Sequence, residues 1–139
     1  MHTVLYVEDD AANLMLVEDI VARLPDIRLL SARDGSHGLA LARSALPKVI
    51  LMDINLPDIN GFEAMRILKR DIATAHIPVI AVSSVPFPDN IKKGLAEGFF
   101  RYLAKPFKVS YFVETLNVAL KVAEQHDVPG KQSNVDNLP

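Results

Sequence analysis

The chain has 139 residues, a formal net charge of −2 and no cysteine, and half of its residues are hydrophobic. This length and balance fit one globular domain with a real core. The lack of cysteine excludes disulfides, thiolate metal sites and cysteine catalysis. No Lys/Arg cluster indicates a nucleic-acid surface, and no apolar run nears the ~20 residues of a membrane span. Because no leader-like segment opens the chain, we expect a soluble, cytoplasmic protein.

Five short apolar runs, typical of buried strands, alternate with segments of helical periodicity. The predicted strands are residues 3–7, 27–32, 49–52, 78–82 and 102–104. The predicted helices follow at about 11–24, 36–45, 61–68, 89–97 and 109–123. Parallel strands need such crossover helices, so the pattern predicts an α/β, doubly wound parallel sheet.

The helical spacing also predicts which side chains face the core and where the domain ends. Leu95 is expected to face inward in the fourth helix, and Met15, Met52 and Met65 are expected to fill the core. We predict a single domain over residues 1–124. Residues 125–139 are polar and lack an apolar period, which predicts a disordered tail or linker.

Polar side chains of matching chemistry stand at the ends of four predicted strands. Glu8 and Asp9 follow the first strand and Asp53 follows the third, while Ser83 ends the fourth and Lys105 ends the fifth. In open α/β sheets, ligands bind outside the carboxyl ends of the strands. An acid at one strand end is usually a solvated loop residue or a helix cap, but five such residues in register favour a shared site.

The chemistry of this set indicates a metal-assisted phosphoryl site. Three close carboxylates repel one another unless a cation intervenes, and Mg²⁺ prefers a few carboxylates together with water and phosphate oxygens. A carboxylate can also act as a nucleophile and form an aspartyl-phosphate. Lys105 and the Ser83 hydroxyl are then suited to neutralise and position the phosphoryl oxygens.

Four separated motifs within residues 2–123 resemble the response regulator receiver family of two-component signalling. They are residues 4–10 (VLYVEDD), 51–63 (LMDINLPDINGFE), 78–84 (PVIAVSS) and 102–107 (YLAKPF). The resemblance implies a flavodoxin-like (βα)5 fold with strand order 2-1-3-4-5. It also implies that Asp53 accepts a phosphoryl group from a histidine kinase or a histidine phosphotransfer protein.

The same resemblance assigns a role to each matching residue. The implied ligands of Mg²⁺ (or Mn²⁺) are Glu8, Asp9, Asp53 and the backbone carbonyl of Asn55. Lys105 would contact the phosphoryl group, and Ser83 and Tyr102 would form the switch. The chain departs from the family pattern at Glu8, where Asp is commoner, at Ser83, where Thr is more usual, and in the proline-rich segment 85–88.

The switch is expected to act on one face of the molecule. The hypothesis is that phosphoryl charge draws in Ser83 and lets Tyr102 turn inward, which changes the face formed by the fourth helix, the fifth strand and the fifth helix. Lys92 and Lys93 lie on this face, and a homodimer through it is one expected partner arrangement. We further predict a cis peptide bond between Lys105 and Pro106, which would aim the lysine back toward Asp53.

Two other functional classes are compatible with part of this pattern. An aspartyl-phosphate phosphatase would need a second acid two residues after the nucleophile, where this chain has Asn55. A phosphate-independent pseudo-receiver would be expected to lack part of the acid and lysine set, which is complete here. The sequence does not decide between a stand-alone receiver and one cut from a hybrid sensor kinase, nor whether Phe99 and Phe100 form core or a docking patch.

Overall fold

The computed structural model describes residues 1–84 and 88–127. Within these residues, five strands alternate with five helices along the chain. The strands are β1 (His2–Val7), β2 (Ile27–Ala32), β3 (Val49–Asp53), β4 (Val79–Ser83) and β5 (Arg101–Ala104). The helices are α1 (Ala11–Ala22), α2 (Gly35–Ala45), α3 (Gly61–Arg70), α4 (Pro88–Ala96) and α5 (Val109–Asp127). None of the helices in these residues is long and apolar enough to cross a membrane.

The strands form one parallel sheet in the order β2-β1-β3-β4-β5. This confirms the predicted fold class and the strand order implied by the family resemblance. The register aligns Val7 of β1 with Met52 of β3, and Asp53 with Val82 of β4. The carboxyl ends of β1, β3, β4 and β5 therefore meet at one edge of the sheet.

The two faces of the sheet bury two separate apolar clusters, because successive strand side chains point to opposite sides. Leu5, Val7, Ile50 and Met52 pack on the side of α2 and α3. Val4, Tyr6, Val49 and Leu51 pack on the side of α1 and α5. Both faces are covered, which is why the central strands β3 and β4 are almost continuously apolar instead of alternating.

Helix ends follow the predicted chemistry. Asp10 caps α1, and its side chain accepts hydrogen bonds from the backbone N–H groups of Ala12 and Asn13. Gly98 follows α4 with a φ of 105°, as predicted for a residue just beyond a helix end. The Gly98 N–H bonds to the Leu95 carbonyl and the Phe99 N–H to the Gly94 carbonyl, the pair of bonds that closes a Schellman motif.

Several packing predictions need correction. Met15 is 63% exposed and Leu95 is 50% exposed, so neither fills the core, whereas Met52 and Met65 are buried as predicted. The Leu95 error is one of helix phase, because its neighbour Gly94 faces inward instead. Met15 was assigned to the core because methionine often fills it, but Leu14 holds the inward position of this turn, as the helical spacing predicted. Phe99 is buried among core residues, which favours the core interpretation over a docking patch.

The carboxyl-terminal boundary of the domain lies further along the chain than predicted. Helix α5 runs to Asp127, so the predicted boundary at residue 124 falls inside a helix. A search for apolar periodicity does not detect this last stretch of the helix, because residues 125–127 are all polar in sequence. The rest of the predicted tail, residues 128–139, lies outside the described residues, as does the segment 85–87 of the proline-rich loop.

Candidate functional site

The first part of the site is the acidic turn after β1. Glu8 is fully buried, whereas Asp9 is exposed. The Glu8 N–H donates to the Ala32 carbonyl, which continues the β1–β2 pairing for one more residue. Arg33 donates a hydrogen bond to the Asp9 carbonyl at 2.9 Å. The turn is thus held by the neighbouring strand on one side and by the start of α1 on the other.

Asp53 is the last residue of β3 rather than the first residue beyond it, and it is 4% exposed. One carboxylate oxygen, Oδ1, accepts a hydrogen bond from the Asn55 N–H at 3.0 Å. Helix α3 begins close behind it, since a Cβ at Gly61 would lie 2.9 Å from the Asp53 carbonyl oxygen. A glycine is therefore required where α3 meets the strand end that carries Asp53.

Lys105 supplies the positive charge of the site. Its N–H donates to the Ser83 carbonyl, and the following bond to Pro106 is cis, as predicted. The ammonium group contacts Glu8 Oε1 directly and lies 3.4 Å from Asp53 Oδ2. The lysine side chain is only 12% exposed, so one largely buried cation serves two buried carboxylates.

The acids at the ends of β1 and β3 are close enough to share one ion. Glu8, Asp9 and Asp53 each offer a carboxylate oxygen, and these oxygens lie within 4.8 Å of one another. A set made only of oxygen ligands suits a hard divalent cation such as Mg²⁺. The chemistry and spacing of these residues therefore fit the metal that the sequence predicted.

The electrostatics show how the carboxylates repel one another in the metal-free site. Burial, a hydrogen bond with Glu8 and the charge of Glu8 raise the pKa of Asp53 from 3.8 to about 7. Burial alone would raise the pKa of Glu8 as well, but hydrogen bonds from Asp53, Lys105 and Tyr6 outweigh it and hold that pKa below its ordinary value. The pair thus keeps its charge on Glu8 and takes up its proton at Asp53.

The two predicted switch residues lie on the neighbouring strands. Ser83 is buried at the end of β4 and pairs with Ala104 of β5. Tyr102 of β5 packs against α4, where its ring lies 3.1 Å from the position that a Cβ at Gly94 would occupy. Its buried hydroxyl has no hydrogen-bond partner among the described residues. The ring thus lies between the carboxyl edge of the sheet and α4.

Two residues that support the surroundings of the site were not singled out by sequence. The Tyr6 hydroxyl donates a hydrogen bond to Glu8 Oε1 at 2.7 Å. The Asp58 carboxylate accepts hydrogen bonds from the N–H groups of Gly35 and Ser36 at the start of α2, which lower the pKa of Asp58. Asp58 thereby ties the loop after Asp53 to a second helix. The only signal for Tyr6 was its hydroxyl, two residues before Glu8 on the same face of a strand.

An acid-rich carboxyl edge, a buried aspartate at the end of β3 and a lysine after β5 are the parts of a receiver domain. Residues 4–117 match the response regulator receiver domain family. The chain therefore belongs to this family, as its motifs had indicated. Members of the family are signalling proteins of two-component systems, in which phosphorylation is typical.

Similar proteins of known name support this assignment. The chain is 36% identical over 114 residues to the polar-differentiation response regulator DivK of Brucella anthropi, covering 82% of this chain and 92% of that one. It is 28% identical to the chemotaxis response regulator CheY4 of Vibrio cholerae, with a TM-score of 0.80 over 86% of this chain and 99% of that one.

A third relative was solved with a metal. The receiver domain of the sensor histidine kinase PA1611 from Pseudomonas aeruginosa is 28% identical, with a TM-score of 0.79 over 86% of this chain and 98% of that one. That structure has a magnesium ion coordinated in its active-site cleft. These two similar structures thus come from a chemotaxis regulator and from a receiver domain of a sensor kinase.

Proposed function

We propose that Asp53 is the phosphoacceptor of this receiver domain. The observation that carries the proposal is a buried carboxylate at the end of β3 with acids on one side and the Lys105 ammonium on the other. A carboxylate oxygen of Asp53 attacks phosphorus, forming an O–P bond as the bond from phosphorus to the donor breaks and the donor leaves with that electron pair. The donor would be a histidine kinase or a histidine phosphotransfer protein in the cytoplasm.

The groups around Asp53 are suited to hold a transferred phosphoryl group. We assign Lys105 and Ser83 to two of its oxygens, since both side chains stand at strand ends beside Asp53. Glu8, Asp9, Asp53 and the Asn55 carbonyl would hold Mg²⁺ or Mn²⁺, in keeping with the spacing of the three acids. The ion would neutralise phosphoryl charge when bound. The only reactions we assign to the protein are the transfer of a phosphoryl group to Asp53 and the hydrolysis of the aspartyl-phosphate that results.

A mass measurement tests the phosphoacceptor directly. We expect the chain, mixed with Mg²⁺ and a small phosphodonor such as acetyl phosphate, to gain the mass of one phosphoryl group, because the site itself supplies positioning and charge. Asp53→Asn should gain nothing. Asp58→Asn is the matched control, since Asp58 is an acid of the same loop outside the metal cluster, and it should still be modified. An adduct on Asp53→Asn would refute the assignment.

Metal binding should depend on the exposed acid of the cluster. We expect Asp9→Ala to weaken Mg²⁺ binding at least tenfold, or about 1.4 kcal/mol, because it removes one anionic ligand from a hard-cation site. Calorimetric titration of the phosphate-free protein measures this. Asp10→Ala is the comparison variant, because Asp10 caps α1 next to the cluster without belonging to it. Equal affinity in Asp9→Ala and the unaltered chain would remove these acids as the metal site.

The output of the switch is expected on the face formed by α4, β5 and α5. We assign the link to Ser83 and Tyr102, because Tyr102 bridges from the sheet edge to α4, which carries the exposed Lys92 and Lys93. Phosphorylation-dependent homodimerisation would use the same face. Beryllofluoride, a phosphoryl mimic, should shift the backbone amide signals of residues 88–105 in NMR spectra. Ser83→Ala should lose those shifts, and shifts confined to 27–45 would place the output elsewhere.

A further inference from the structure

Tyr6 lies in the middle of β1 and is fully buried on the side of α1 and α5. Side chains two residues apart on a strand point to the same face, so Tyr6 and Glu8 are neighbours on that face. The ring packs in the core while its hydroxyl donates to Glu8 Oε1 at 2.7 Å. Tyr6 is thus the one polar-tipped residue in the fully buried part of β1, residues 4–7, and its hydroxyl reaches from the core to the acidic edge.

Glu8 needs such a donor because its carboxylate is fully buried. A buried carboxylate is tolerated only when its oxygens are hydrogen-bonded or paired with charge. Its Oε1 contacts both the Tyr6 hydroxyl and Lys105, and its Oε2 accepts a long hydrogen bond of 3.4 Å from the Asp10 N–H. Asp53 also shares a hydrogen bond with Glu8. Of these three side chains, Tyr6 is the one that has no part in the proposed phosphoryl transfer.

We propose that Tyr6 is a positioning residue of the metal site, whose hydroxyl holds the Glu8 carboxylate in place while Lys105 turns to the phosphoryl group. This inference rests on the proposed function, in which Lys105 leaves its carboxylate partners to contact phosphoryl oxygens. Tyr6 is fixed by core packing on all sides and does not have to move. Glu8 thus retains one donor at every stage of the reaction.

The pairing also gives a reason for a glutamate at position 8. An aspartate there would be shorter by one methylene, and its carboxylate would be drawn away from the Tyr6 hydroxyl. The hydroxyl and the longer acid therefore form a matched pair, because the hydrogen bond between them requires both. Interacting residues of this kind give non-additive effects when both are changed.

The test is a double-mutant cycle read out as Mg²⁺ affinity by calorimetry. Tyr6→Phe removes only the hydroxyl, and we expect about tenfold weaker Mg²⁺ binding, as is usual when a group that orients a metal ligand is lost. In the Glu8→Asp background, the same change should alter affinity by less than about twofold, because the hydrogen bond is already gone. Tyr111→Phe is the control, since Tyr111 is an exposed residue of α5.

Two outcomes overturn the inference. In the first, Tyr6→Phe binds Mg²⁺ as tightly as the unaltered chain does. In the second, Tyr6→Phe weakens Mg²⁺ binding by the same factor whether residue 8 is Glu or Asp, as a general packing effect would. Either result leaves the metal site itself intact, provided that Asp9→Ala still weakens binding. If the unaltered chain does not bind Mg²⁺, the proposed metal site fails, and the inference fails with it.

A measurement on the unaltered chain covers the case in which Tyr6→Phe does not fold. The chain has three tyrosines, so their ¹³C-labelled ring signals can be assigned from the spectra of Tyr102→Phe and Tyr111→Phe. The Cζ signal of Tyr6 should shift on addition of Mg²⁺, along the same saturation curve as metal binding. A Tyr6 signal that stays in place while the metal binds would contradict the positioning role.

Discussion

Replacing Lys105 by methionine should destabilise the metal-free protein strongly. Lys105 is the cation in contact with Glu8 and Asp53, and both carboxylates are buried. Removing one partner of a buried ion pair typically costs about 3–5 kcal/mol, because a charge is left uncompensated. We expect a loss near the lower end of that range, about 3 kcal/mol, since a proton on Asp53 can relieve part of the repulsion. Denaturant unfolding at pH 8 in the presence of a chelator measures it.

The effect of Mg²⁺ on Lys105→Met shows whether its lost stability comes from poorer packing or from the missing positive charge. Mg²⁺ places a new cation among the carboxylates, so it should stabilise Lys105→Met by more than it stabilises the unaltered chain. For the same reason, Mg²⁺ should bind the variant more tightly, as the lysine no longer competes with it. Lys108→Met changes an exposed lysine three positions along and should alter neither quantity. Equal gains from Mg²⁺ in Lys105→Met and the unaltered chain would contradict this account of the site.

The elements of this site were predictable because parallel strands bring their carboxyl ends to one edge. Glu8, Asp9, Asp53 and Lys105 each follow or end a strand that the apolar runs mark clearly, and the structure brings them together. The cis bond before Pro106 was predictable from the need to aim Lys105 back at the acids, and it is present. Most of the site could therefore be predicted from the sequence, because its chemistry requires particular side chains at the ends of recognisable strands.

The details that sequence did not determine depend on packing. Leu95 was assigned to the core because helical periodicity marks a stripe of residues but can misplace the edge of that stripe by one position. Met15 was assigned there because methionine is a common core residue. The proton of the carboxylate pair could be placed on Asp53 only after Tyr6 and Lys105 were found on Glu8. Asp58 reaches across to α2 through the folded loop, at a separation that no local pattern encodes.

Removing the charge of Asp53 should have the opposite effect to removing that of Lys105. The pKa of Asp53 rises from 3.8 to about 7 on folding, mainly through burial and the proximity of Glu8. Between these two values the folded protein binds more protons than the unfolded chain, so the stability of the metal-free protein falls as pH rises through this window. Above pH 7 the carboxylate is charged in both states, and its full cost is present.

Asp53→Asn removes this cost and should therefore be more stable than the unaltered chain without metal. The difference should be small near pH 4, grow as pH rises and level off above pH 7, at an order of 2–4 kcal/mol. Asn keeps an oxygen for the Asn55 N–H, so that hydrogen bond is retained. Thermal and denaturant unfolding between pH 4 and 8, with a chelator present, measure the difference.

The control and the metal dependence decide whether Asp53 is the source of this pH effect. Asp19→Asn changes an exposed acid of α1 and should leave the pH profile of stability unaltered. Mg²⁺ should reduce or reverse the advantage of Asp53→Asn, because the ion converts the repelling carboxylates into ligands and stabilises only the chain that retains them all. If the unaltered chain were as stable at pH 8 as Asp53→Asn without metal, the charge on Asp53 would not be the source of the electrostatic destabilisation in the acidic cluster. A stabilised Asp53→Asn that loses its advantage in Mg²⁺ would show that the site gives up stability for the charge that metal binding requires.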